Sequence, residues 1–106
     1  MILRDALFRS LADPTRRAIF ETLCRNGELP VTELTRGAQI SQPAVSRHLS
    51  ILRDAGLVAG RPDGRQTLYH ARAETLMAVT DWTTEMRGFW DHRLDKFEDL
   101  LNRMGQ

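Results

Sequence analysis

The sequence predicts a mainly α-helical chain with one small β-hairpin. Three observations carry that expectation. Apolar residues recur at helical spacing through most of the 106 residues. The period changes to a strand-like one only between Leu57 and Ala71. Within that stretch Pro62-Asp63-Gly64 supplies a turn: a fixed φ, a local side-chain bond, then a positive φ. A chain of this length makes one domain over residues 1–106, able to bury roughly two-thirds of its unfolded surface.

Each element has a local reason. Met1 to Ala12 carries Leu3, Leu7, Phe8 and Leu11 at helical spacing. Asp13-Pro14 reads as an N-cap followed by proline at the first helical position, where its missing N–H is harmless. The second helix then runs to about Arg25, with Ile19, Phe20, Leu23 and Cys24 on one face, and Asn26-Gly27 stops it. Pro30-Val31 is a short extended link. Thr32 is expected to cap a brief third helix, Glu33 to Gly37, and Ser41 a fourth from Gln42 through Arg53, stopped near Gly56. In the hairpin, Arg61 and Arg65 are expected at the tip. Beyond it Val79, Trp82, Met86, Trp90, Leu94, Phe97, Leu101 and Met104 repeat at spacings of threes and fours, a coiled-coil-like seam with Gly88 as a candidate kink.

Composition sets bounds on function. Hydrophobic residues are 42% and charged residues 27%, the balance of a folded, water-exposed domain. Apolar runs reach only about four residues, such as Leu76-Met77-Ala78-Val79, far short of a membrane span. Arg4 and Asp5 interrupt the start of the chain, against a secretory leader, and a single cysteine suits a reducing cytoplasm. No nucleophile–base pair, phosphate-cradling glycine loop or carboxylate dyad can be assembled, so no catalytic residue and no cofactor is expected. The net charge of +1 conceals an uneven distribution. Residues 1–40 hold six Arg against five acids; residues 41–72 hold five Arg against two acids; residues 73–106 hold four basic side chains against seven acids. A basic middle beside an acidic tail marks a polyanion-binding surface on one part of a small domain. Fourteen of the fifteen basic residues are Arg, the type suited to phosphate and guanine.

Two short helices joined by a tight turn and followed by a basic hairpin describe a winged helix-turn-helix, here about 32–55 with a wing at about 57–71 and a final helix at about 73–104. In the fourth helix Val45, Leu49 and Leu52 anchor the element, and Gln42, Pro43, Ser46, Arg47 and Ser50 point away from that anchor. A recognition helix needs this polar N-terminal half. Arg47 can read guanine, Gln42 adenine, and Ser46 a base or a phosphate. Arg61 and Arg65 would lie along the neighbouring backbone or in the minor groove. His48, beside Arg47, suits either a phosphate or packing against the wing. Double-stranded DNA is therefore the expected partner, with no membrane.

Leu11-Ala12-Asp13-Pro14-Thr15-Arg16-Arg17-Ala18-Ile19, Ser41-Gln42-Pro43-Ala44-Val45-Ser46-Arg47-His48-Leu49 and Leu52-Arg53-Asp54-Ala55-Gly56-Leu57-Val58 resemble the ArsR/SmtB family of bacterial repressors, as does the wing from Arg61 to Tyr69. The resemblance implies a homodimer whose first and last helices pair across a two-fold axis. It also implies release from an operator when a small-molecule inducer binds, and DNA contact at Gln42, Ser46 and Arg47. The expected interface is Leu3, Leu7, Val79, Trp82, Met86, Phe89, Trp90, Leu94, Phe97 and Leu101. The chain departs from the family's metal sensors. No cysteine lies around Glu33-Leu34-Thr35-Arg36-Gly37, and Asp91 and His92 are adjacent with no second histidine after them. No metal site is expected, since zinc needs three or four converging ligands. Cys24 is expected in the core, and His70 and His92 in structural roles. The competing readings are a metal- or thiol-responsive sensor of the same family and a winged-helix module for protein contacts.

Overall fold

The computed structural model describes residues 3–105. They form α1 (Leu3–Ala12), α2 (Pro14–Asn26), β1 (Leu29–Pro30), α3 (Val31–Ala38), α4 (Gln42–Asp54), β2 (Val58–Asp63), β3 (Gln66–Ala71), a 3-10 turn (Ala73–Leu76) and α5 (Met77–Met104). The chain divides into two compact units, one ending at Leu76 and one beginning at Met77.

In the first unit helix starts follow capping chemistry. The Asp13 carboxylate accepts the Arg16 N–H at 2.8 Å, with Pro14 opening α2. Ser41 Oγ accepts the Ala44 N–H at 3.3 Å and opens α4. The end of α4 is a Schellman motif. Gly56, at φ 80°, donates to Arg53 O at 2.9 Å, Leu57 donates to Leu52 O at 2.9 Å, and both leucines are buried. That closure turns the chain directly into β2. The core comprises Leu7, Ile19, Phe20, Leu23, Leu34, Val45, Leu49, Leu52, Ala55, Leu57 and Val58. Arg16 joins three helices: its Nε donates to Ser10 O at 2.7 Å and its Nη2 to Arg9 O at 3.2 Å, while Nη1 lies 3.4 Å from His48 Nδ1. Orphan carbonyls at the end of α1 are thereby satisfied from α2.

Four local expectations are corrected. The third helix starts one residue before Thr32, after Pro30 and with no side-chain cap, and it ends on Gln39 at φ 59° rather than at Gly37. Val31 opens that helix, and Leu29-Pro30 form a third strand, giving an antiparallel sheet of order β1-β3-β2. Proline, lacking an N–H, fits such an edge. In the hairpin, Pro62 and Asp63 belong to β2, paired with Thr67 and Gln66, and the turn is Gly64-Arg65 with Gly64 at φ 63°. A two-residue hairpin accepts glycine at that first central position. Cys24 is exposed. Helical periodicity placed it with Phe20 and Leu23, but at about 100° per residue it falls on the edge of the face formed by the buried Ile19, Phe20 and Leu23.

The second unit is α5, one α-helix of 28 residues running through Gly88 without interruption. About 42 Å long, it exposes Met77, Met86, Phe89, Trp90, Leu94, Phe97, Leu100, Leu101 and Met104; Val79 and Trp82 are half-buried. No described helix is long and apolar enough to cross a membrane.

Candidate nucleic-acid interface

The buried face of α4 determines where its other side chains go. Val45, Leu49 and Leu52 are 0% exposed, so at 3.6 residues per turn the remaining positions divide around the helix. Gln42 and Ser46 lie on the flank toward the wing, Pro43, Arg47 and Ser50 project outward, and His48 lies on the opposite flank. Gln42, Ser46 and Arg47 are exposed, while His48 and Ser50 are half-buried. Gln42 and Ser46 open onto a groove of about 350 Å³, whose far wall is Arg65, Gln66, Thr67 and Tyr69 and whose end is Val31 and Thr32 of α3. The N-terminal half of one helix and the inner strand of a hairpin thus share one polar cleft.

Strand register fixes which wing residues face that cleft. Gly60 pairs with Tyr69 and Pro62 with Thr67 on one face, whereas Ala59 pairs with His70 and Arg61 with Leu68 on the other. The first face is the groove face; Tyr69 and Thr67 lean over Gly60, where a Cβ would come within 3.0 Å and 3.1 Å of them. Arg65, in the turn, reaches the groove. Arg61 does not; its guanidinium is held by Glu28, with Nε donating to Oε2 at 2.8 Å and Nη2 to Oε1 at 2.7 Å. The expectation that Arg61 sits at the tip is corrected accordingly: it lies within β2, paired with Leu68. The Arg61 bonds hold the Glu28 carboxyl below its usual range and raise Arg61 in turn. Among the described residues Arg47 and Arg65 enter no ion pair, so both cations face solvent unneutralised.

Other expected residues distribute unevenly. His48 meets Arg16 of α2, not the wing. Leu7 is 0% exposed, taken up by the core, and cannot present itself at an interface. The side chain of Leu3 lies outside the described residues. Met86, Phe89, Trp90, Leu94, Phe97 and Leu101 are exposed along α5, and Leu100, which the seam spacing skipped, belongs with them. Thr32, Gln66, Thr67 and Tyr69 were not named as site residues from sequence; placing the turn one residue pair later in the hairpin would have found the wing pair. His70 Nδ1 lies 3.9 Å from Glu28 Oε2, and His92 is exposed on α5. Around Cys24, partial burial pushes the thiol up, with Arg25 opposing and Glu21 adding; a raised thiol is a poor thiolate nucleophile. Among the described residues no group of three or more His, Cys, Asp and Glu is placed to hold a metal ion.

A helix-turn-helix of α3 and α4 with a β2–β3 wing beside it defines a winged-helix DNA-binding transcriptional regulator. The model of the bacterial regulatory proteins of the arsR family matches residues 13–59. The HTH-type transcriptional regulator Rv2034 of Mycobacterium tuberculosis is 40% identical over 101 residues, covering 95% of this chain and 91% of that protein. The arsenical resistance operon repressor of Escherichia coli is 44% identical over 68 residues, 64% of this chain and 58% of that protein. The structure of an ArsR-like transcriptional regulator from Rhodococcus sp. RHA1 superposes with a TM-score of 0.78 at 27% identity, covering 91% of this chain and 90% of that one. The chain belongs to the arsR family of bacterial regulatory proteins. Its matched family and relatives are transcriptional regulators, not enzymes.

Proposed function

We propose that the protein is a homodimeric repressor that binds an inverted-repeat operator in double-stranded DNA and is released by a small-molecule inducer. The carrying observation is the groove shared by Gln42, Ser46, Arg65, Gln66 and Thr67. In this reading Gln42, Ser46 and Arg47 meet base edges in the major groove, with Ser50 beyond them. Arg65 meets the backbone alongside, and His48 steadies the helix from behind through Arg16. The repressor sense follows from the relative named as an operon repressor.

The dimer is supported by α5. Nine large apolar side chains are exposed on that one helix, a patch that calls for a partner. A second copy supplies the matching stripe by symmetry. Met86, Phe89, Trp90, Leu94, Phe97, Leu100 and Leu101 form the core of that contact, with Val79 and Trp82 at its head. Two recognition helices then face successive major grooves, about 34 Å apart.

The test is in-vitro selection from random duplexes, followed by titration of the enriched duplex. Enrichment of an inverted repeat supports the reading; enrichment of nothing, or of one asymmetric half, counts against it.

A further inference from the structure

We propose that Glu28 is a positioning residue for DNA binding: it clasps Arg61 across the sheet and fixes the wing against the helix-turn-helix. This rests on reading the α4–wing groove as the DNA interface.

Glu28 immediately precedes β1, and β1 runs without a spacer into α3. Leu29 pairs with Tyr69, so extending that register by one residue sets Glu28 beside His70, on the face that also carries Leu68 and Arg61. Arg61 belongs to β2, at the opposite edge of the three-stranded sheet. Its guanidinium therefore passes over β3 to reach the carboxylate, a span of about two strand spacings, roughly 9.6 Å. Two bonds at 2.7 Å and 2.8 Å make the pair bidentate, and a bidentate pair fixes orientation as well as separation. The outer strand of the wing is thus tied to the residue that leads into the helix-turn-helix. What the clasp sets is the spacing between wing and α3–α4, the width of the groove itself.

Three further facts favour positioning over direct contact for Arg61. It lies on the face opposite Thr67 and Tyr69, away from the groove. The Nε–Nη2 edge of its guanidinium is taken by the carboxylate and is not open to phosphate while the pair holds. His70 Nδ1, at 3.9 Å, flanks the same carboxylate from β3, so the clasp joins both wing strands to the residue that leads into β1.

The test uses the full chain in four variants: E28Q, R61E, the swap E28R/R61E, and R65A. Two readouts are taken, affinity for the duplex enriched from a random pool and hydrogen exchange of amides 58–71. E28Q is expected to speed exchange in the wing and weaken binding about two- to fivefold. R61E is expected to weaken it more, and the swap, equal in charge to the parent, to restore both readouts. An R61E loss that persists in the swap, with wing exchange unchanged throughout, would place Arg61 on the DNA and overturn the clasp. R65A judges the underlying reading separately. It should lower the salt dependence of binding, and an unchanged salt slope there overturns the wing contact whatever the exchange data say of the clasp.

Discussion

Arg47 and Arg65 carry the same charge and are expected to do different work. Arg47 projects from α4 and is proposed to read a base edge; removing a good base contact costs about 1–3 kcal/mol of discrimination. Arg47→Ala should therefore weaken the enriched duplex while leaving a duplex of unrelated sequence nearly unaffected, as read by fluorescence anisotropy. An equal loss on both would remove its base-reading role. Arg65→Ala should weaken both duplexes and reduce the slope of log affinity against log salt by about 1. The division of labour on α4 was legible because the periods of Val45, Leu49 and Leu52 dictate it. The fate of Arg61 was not. Reading Pro62-Asp63-Gly64 as the turn set Arg61 beside the tip, whereas Pro62 and Asp63 are paired strand residues and Arg61 lies three residues before Gly64, opposite Leu68. Cys24 was misread because periodicity assigns a face but not its width: Leu23 beside it is buried, and Cys24 falls on the edge of that face.

At the scale of elements, caps and closures decide where helices begin and end. The backbone N–H of Arg16 holds the Asp13 carboxyl below its usual value. Its ionised form is thus favoured by folding, so the contribution is full above the unfolded value of 3.8 and disappears as pH falls through the lower folded one. Asp13→Ala should lower the thermal midpoint at neutral pH, and the gap from the parent should narrow in acid below that value. A gap independent of pH would mean the cap acts without its charge. Leu49→Ala, at a position 0% exposed, should cost about 2–5 kcal/mol in urea unfolding, because a cavity opens where α4 meets the core. These elements were readable from short motifs: Asp13-Pro14, Ser41 and the Gly56 closure are local chemistry. By contrast β1 is two residues long, too short for any period, and exists only because β3 lies beside it. The Glu28 clasp depends on that strand and spans 33 residues of sequence, so no local pattern announces it.

At the scale of the molecule, a near-neutral chain separates a basic reading head from an acidic helix. Residues 41–72 carry an excess of three positive charges and residues 73–106 an excess of three negative ones. The charge proposed to meet DNA and the helix proposed to meet a second copy are thus kept on different segments, and a negative α5 is disfavoured near phosphate. Trp90, 61% exposed in the single chain, sits mid-helix in the proposed contact. Trp90→Asp should yield monomers in sedimentation, with operator affinity falling steeply as one half-site is lost; a dimer that survives would move the interface elsewhere. The seam was visible in sequence as a repeat of threes and fours, although Leu100 fell between its steps and Leu7 proved to belong to the core.

A paired titration of parent protein and Arg47→Ala on the enriched duplex, and on a copy with one half-site scrambled, tests whether a dimer reads an inverted repeat through α4. The parent should lose most of its affinity when a half-site is scrambled, and Arg47→Ala should narrow the difference between the two duplexes. Equal parental affinity for both duplexes, or an undiminished preference in Arg47→Ala, would contradict a dimer that reads an inverted repeat through α4.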